Sequence, residues 1–336
     1  MAVNKFSILA LVFFVFHAFG LTAQNQAPYK DYYNEVIEAE VLITKKEYAK
    51  ALKMLENVFD LYDFIFLTEY KVAAQLALQL GSKEKALHFL KLGVLGGWKL
   101  QEIKKNEFLK PIRKTDVWKA LEAEYDSLRT AHFDGLNPEL REEVRLMYKN
   151  DQKYAISYLL KIGEGAKTKY ATKKIIPQSE EQLARLNEIL DESGYPGEKL
   201  IGNSVWMMII LSHHNSISQD YSEKDTIYPL LKPRLFEAID DGEMSPYEYA
   251  IIEDWYVAVK SNRKEAAFGF LNTLSEEDLS KSNELRKSVG MRSVETRNAL
   301  VDIQNQTGMD FYLAGEGWVT GKIEVDNNNE SIESDK

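Results

Sequence analysis

The sequence predicts an all-α protein, and three observations carry that expectation. Apolar side chains recur at helical spacing: Tyr48, Ala51, Leu52, Leu55 and Val58 share one face, as do Ala86, Leu87, Leu90 and Val94. The two stretches superpose at an offset of 35 residues, which sets Ala51 over Ala86 and Leu55 over Leu90. Further along, cap-like strings open apolar-periodic segments, as in Ser179-Glu180-Glu181-Gln182 and Ser245-Pro246-Tyr247-Glu248.

Residues 1–23 read as a secretory signal peptide. Lys5 supplies a positive start, Phe6 to Phe16 is apolar apart from Ser7, and Leu21-Thr22-Ala23 precedes a cleavage point before Gln24. The run is shorter than the roughly 18 apolar residues of a spanning helix. Cleavage is therefore expected, with no stable membrane anchor afterwards, and the chain is expected to be exported, periplasmic or extracellular.

Residues 24–132 are expected to form helical hairpins. After the 35-residue offset, a further step of 34 lands on Ala120, followed by Leu121. A small alanine lets paired helices approach, and a larger apolar residue fills the groove beside it. The region resembles tetratricopeptide repeats, whose helix pairs recur about every 34 residues. The resemblance rests on Tyr48-Ala49-Lys50-Ala51-Leu52, on Gly81-Ser82-Lys83-Glu84-Lys85-Ala86-Leu87 and on Gly97-Trp98. Asn106-Glu107-Phe108-Leu109 and Val117-Trp118-Lys119-Ala120-Leu121 continue a form seen in secreted bacterial repeat proteins. It implies binding of a peptide or partner protein. A plain helical bundle is the other reading of the same pattern.

The turn cluster Phe133-Asp134-Gly135-Leu136-Asn137-Pro138 marks a boundary, and residues 138–313 are expected to form a second, mainly helical domain. Its first helix runs from Pro138 to Asp151-Gln152, and a polar, lysine-rich connection leads to Pro177. A helix capped by Ser179 then buries Leu183, Leu186, Ile189 and Leu190 and ends at Gly194. Tyr195-Pro196-Gly197 turns the chain into a helix from Val205 to Leu211 that is apolar all round, hence internal, with His213 and His214 at its end. Helices follow from Tyr228 to about Asp240 and from Pro246 through Trp255 and Tyr256, and Leu285 to Leu313 supports one or two more. Residues 314–336 are expected to be an acidic, disordered tail, although Trp318 to Val325 alternates weakly, as a short strand would.

The second half resembles a bacterial domain family of unknown function, over about residues 138–313. Asp151-Gln152, Gly194-Tyr195-Pro196, Leu200-Ile201-Gly202, His214, Tyr228-Pro229-Leu230-Leu231, Gly242-Glu243, Tyr249-Ala250, Asp254, Asn283, Arg286 and Gly290-Met291 carry it by order and spacing. This chain departs from that family at His213, at Trp255 after Asp254, and at Phe268-Gly269-Phe270. The resemblance implies a helical fold and no particular activity.

Composition narrows the function classes. There are no cysteines, which excludes disulfides, thiolate metal sites and cysteine nucleophiles. A net charge of −10 disfavours nucleic acid. Lys167, Lys169, Lys173 and Lys174 are the best candidate for a local basic patch, and they also read as a solvated loop or helix face. His214, Gln152, Glu243 and Asp254 are the candidate polar set, because a histidine beside carboxylates can exchange protons near neutrality. Each can equally fix a helix end. Neighbouring His213 and His214 point about 100° apart on a helix, so a metal site is not expected, and no cofactor motif is present. Tyr32 and Tyr33 are candidates for a contact surface. The sequence thus leads to an exported, noncatalytic protein- or peptide-interaction module of the cell envelope. The alternative is a divergent hydrolase using His214 with Asp254 or Glu243.

Overall fold

Helices α1 (Tyr29–Thr44) and α2 (Tyr48–Leu61) form one hairpin, and α3 (Leu67–Gln79) and α4 (Lys83–Leu95) a second. The computed structural model describes residues 28–313 and 321–326, so the expected signal peptide lies outside the described residues. The two hairpin turns have the same construction. Lys46 and Gly81 both take positive φ, at 62° and 79°. The next N–H reaches back five residues: Glu47 to the Leu42 carbonyl and Ser82 to that of Ala77, each at 2.9 Å. This 6→1 bond satisfies a carbonyl that the helix end leaves orphaned. The turns recur at the same 35-residue interval as Ala51 and Ala86, both of which are fully buried.

The third step departs from the pattern. A short α5 (Leu100–Lys105) and a 3-10 turn (Glu107–Lys114), closed by the Asn106 side chain on the Leu109 N–H, replace a long first helix. Helix α6 (Asp116–Asp134) packs directly on α4 and buries Leu121, while Ala120 is half-buried. Gly93 leaves room for Trp98, since a Cβ there would stand 2.9 Å from the indole.

Asn137 caps α7 (Pro138–Leu159) through Leu140 N–H, with proline in the first turn. The expected lysine-rich connection is instead helical. Helix α8 (Glu164–Tyr170) runs through a π turn (Ala171–Ile175) into α9 (Ile176–Glu192). Pro177 lacks the N–H that an α-helix interior needs, and the wider turn lies just before it. Ser179 is therefore inside a helix rather than capping one. Short α10 (Glu198–Ile201), α11 (Trp206–Asn215), α12 (Gln219–Ser222), α13 (Ile227–Asp240) and α14 (Pro246–Lys260) follow. Ser245 caps α14 as the sequence indicates. Helix α11 is central but not sealed: Val205 at its start is exposed and Met208 is half-buried.

After α14 come the two-residue strand β1 (Leu274–Ser275), α15 (Glu276–Ser288) and α16 (Val294–Thr307). Strand β2 (Val325–Asp326) pairs in parallel with β1, so the fold is all-α apart from this pair among the described residues. Residues 321–326 belong to the fold, with Ile323 buried and held at both backbone atoms by the Asn298 side chain, at 2.8 and 3.0 Å. No helix among the described residues is long and apolar enough to cross a membrane.

Two apolar cores result, each drawing residues from both the first and the last part of the described chain. One joins the hairpins to Leu300, Val301, Ile303, Met309, Phe311 and Leu313 from the C-terminal end. The other takes Tyr29, Tyr32 and Tyr33 from the start of α1 into the helices of the second half. Tyr32 and Tyr33 are thus interior rather than surface residues, at 0% and 5% exposure. Their hydroxyls stay satisfied, Tyr32 accepting from Phe66 N–H and Tyr33 donating to the Ile239 carbonyl.

Candidate functional site

The four polar residues singled out by sequence take separate partners. His214 is buried, with Nδ1 2.9 Å from Ser179 Oγ and Nε2 3.2 Å from Asp225 Oδ2. Asp225 in turn receives the N–H groups of Ile227 and Tyr228 at the start of α13. Burial pushes the Asp225 carboxyl up, but His214 and the two N–H groups outweigh it and hold it below its usual value. Glu243 accepts from Tyr195 N–H at 2.8 Å, under the positive-φ turn at Gly194. Asp254 accepts from Phe268 and Phe270 N–H at 2.5 and 2.6 Å. Burial pushes its carboxyl up to about 6, against those two bonds and Arg286. Gln152 donates to Asp151, which also meets His213 at 2.7 Å. Glu243 and Asp254 tie loops to their neighbours, and His214 bridges α9 and the segment before α13. Among the described residues Gln152 bonds only the adjacent residue of its own helix, and none of the four lines the cavity beside α1 and α3. No group of three or more His, Asp or Glu side chains suited to a metal ion occurs among the described residues.

A different set of residues converges. Where α1 and the start of α3 meet α10, the start of α14 and the residues flanking α16, they enclose a cavity of about 350 Å³. Its chemistry begins with α3, which is preceded by Phe66, a residue whose side chain cannot accept from the first N–H groups. The Glu198 carboxylate from α10 crosses over and accepts from Leu67 N–H at 2.6 Å. Glu69 lies in the first turn of the same helix. A helix N-terminus favours negative charge there, yet burial dominates and pushes Glu69 up to about 8 and Glu198 to about 7. Glu248, buried on α14, accepts from Tyr195 hydroxyl at 3.0 Å, and burial drives its carboxyl well up.

The cavity also holds cations. Arg292 grips Glu40 through two bonds of 2.6 and 2.8 Å and stacks over Tyr247 at 4.7 Å. Burial lowers the Lys71 amine, which sits 4.6 Å from the centre of the Tyr312 ring. Gln75 clamps the Asp310 backbone at 2.6 and 2.8 Å, which brings Asp310 and Tyr312 to the rim. Of the lining residues Glu69 and Glu248, one carboxyl oxygen each, Oε2 and Oε1, is turned away from solvent with no hydrogen-bond partner among the described residues.

In the sequence Tyr33 and Glu248 point to other roles, and Glu69 and Glu198 to none. The one local signal was a carboxylate in the first turn of a helix, which is commonplace. The cavity depends on bringing together residues as far apart as Glu40 and Arg292, and no spacing encodes that. No protein-family model, curated protein or solved structure matches the chain.

Proposed function

We propose that the protein is a noncatalytic, exported binding module of the bacterial envelope. On this reading its cavity seats a basic side chain or amino group from a peptide or partner protein. The observation that carries the proposal is the convergence of three carboxyl residues, Glu69, Glu198 and Glu248, on the lining of one cavity. An ammonium or guanidinium group in the cavity would be drawn to these carboxyls, since opposite charges attract more strongly away from bulk water. The carboxyls are raised by burial, so a bound cation would draw them into ionised form and release protons. The packed hairpins of residues 29–95 are compatible with tetratricopeptide-like repeats, and arrays of that kind bind peptides. Residues Tyr33 to Glu40 of α1 form one wall of the cavity, so the hairpins and the site share an element. The hydrolase alternative needs His214 beside Asp254 or Glu243 in one pocket, and their separate hydrogen-bond sets lend it no support.

A positional-scanning peptide library tests the proposal. The chain should select lysine or arginine at one position, and calorimetry in buffers of different ionisation enthalpy should show proton release on binding. Val205→Trp places an indole beside the cavity from an exposed position and should abolish both. A library with no basic preference, or binding undiminished by that substitution, would overturn the reading.

A further inference from the structure

The lysine cluster left unused by the cavity lies on a projecting arm. From Gln152 through Pro177 no residue is buried. The arm is the end of α7, the turn at Gly163, α8 and the π turn, and neither of the last two contributes a buried residue. At its tip the aliphatic side chains are bare: Leu159 and Leu160 are 73% and 74% exposed and Ile162 is 94% exposed, with Ile156 at 57% one turn back. Isolated exposed leucines are ordinary on a protein surface, but a contiguous apolar tip is not.

Charge sets the tip apart as well. Between Lys153 and Ile175 there are six lysines and one carboxylate, Glu164, in a chain whose net charge is −10. Lys153, Lys169, Lys173 and Lys174 are exposed. Lys161 and Lys167 lie along tyrosine faces, at 4.7 Å from Tyr170 and 5.9 Å from Tyr158. Long lysine stems can lie along apolar surface while their heads reach outward.

We propose that this arm docks the protein reversibly on an anionic lipid bilayer, with Leu159, Leu160 and Ile162 entering the interface and the lysines pairing with headgroup phosphates. Aliphatic side chains this exposed, flanked by six lysines and a single carboxylate, match an apolar medium bordered by anionic headgroups. A basic collar around such a tip gives the two weak signals, apolar insertion and electrostatic attraction, that together hold a protein at a membrane surface. The arm is far too short to span the bilayer, in keeping with the lack of a membrane-crossing helix among the described residues. This inference is independent of what the cavity binds.

Vesicle sedimentation tests it, using the chain without residues 1–23, whose apolar run would bind lipid by itself. Vesicles of phosphatidylcholine containing about one third phosphatidylglycerol should retain the protein at least about tenfold better than phosphatidylcholine alone, with the difference shrinking in high salt. The triple variant Leu159→Ser, Leu160→Ser, Ile162→Ser and the triple variant Lys169→Glu, Lys173→Glu, Lys174→Glu should each lose at least about tenfold in binding. All six positions are unburied, so their thermal unfolding should match the parent chain. The chain has no cysteine, so Ile162→Cys carries a single environment-sensitive fluorophore, whose emission should shift to the blue on anionic vesicles only. Failure to bind anionic vesicles, equal binding to neutral ones, or binding unchanged in either triple variant overturns the proposal. Competition by glycerophosphate as effective as competition by vesicles would overturn it in favour of a free anion.

Discussion

The ring of Tyr29 lies flat against the backbone of Gly242, where a Cβ would come within 2.3 Å of the ring carbons. Gly242 closes α13 with φ at +66°, and Tyr29 opens α1, so one contact fastens the first helix of the hairpins to the second half of the chain. Gly242→Ala meets two penalties. The left-handed backbone costs roughly 1–2 kcal/mol with a side chain, and overpacking against an interior ring adds about 1–3 kcal/mol. Urea unfolding should show a lower midpoint of that combined size. Tyr29→Ala combined with Gly242→Ala should be less destabilising than the two single losses added together, because the clash needs both partners.

Stability should fall as pH rises from about 4.5 to about 8. Glu69 and Glu198 titrate at about 8 and about 7 in the folded chain, against an ordinary value of 4.5, because burial disfavours the charged form. Between those limits the folded state holds more protons than the unfolded state, so raising pH favours unfolding. Stability fully present below pH 4.5 is lost as pH climbs through the folded values, with a slope of up to about 1.4 kcal/mol per pH unit for each group. Asp254 adds in the same direction from 3.8 up to about 6. Glu69→Gln should flatten the upper part of the curve, most visibly between pH 7 and 8 in thermal scans. An unchanged profile in that variant would show that Glu69 is not the group responsible.

What the sequence reveals divides along physical lines. Ala51 and Ala86 were legible because a helix pair needs a small residue at each close approach, and that need repeats with the hairpin. Gly194 and the Ser245-Pro246 start were legible because turn and cap chemistry is local. Tyr32 and Tyr33 were not, since two adjacent tyrosines near a chain start say nothing of the distant α13 and α14 that cover them. The helix across Glu164–Tyr170 was hidden by Gly163, Gly165 and Pro177, each a breaker by propensity, whose costs tertiary context and a π turn absorb. The cavity lay furthest out of reach: the Glu198 cap on Leu67 joins residues 131 apart.

Asp254 acts as a loop clamp, and its conservative replacement should reveal this. Gly269, at φ +84°, turns the chain so that Phe268 and Phe270 aim their N–H groups at the two oxygens of one carboxylate. On the other side Arg286, fully buried, donates twice to the Phe268 carbonyl. Asp254→Asn keeps the shape but must turn an NH₂ group toward one of those N–H donors. Leaving that donor unmet costs about 1–3 kcal/mol. Hydrogen exchange at Phe268 and Phe270 should accelerate selectively, while exchange in α2 and α4 stays in step with global stability. Uniform acceleration would assign Asp254 to the general core instead.

The segment 321–326 should contribute to folding rather than trail from it. Ile323 is buried against the second core, and Asn298 on α16 both donates to its carbonyl and accepts from its N–H, so its backbone is satisfied as in a sheet. Arg297, one residue earlier on α16, donates to the Gly321 carbonyl, and β2 then pairs with β1. Ile323→Ala should cost about 2–5 kcal/mol, the range for emptying a buried aliphatic site. Truncation after Leu313 should cost at least as much, since it removes the same side chain together with the strand and both hydrogen-bonded carbonyls. Truncation after Asp326 leaves every one of those contacts in place and should leave the urea midpoint unchanged. If both truncations behave alike, the packing of Ile323 carries no net stability.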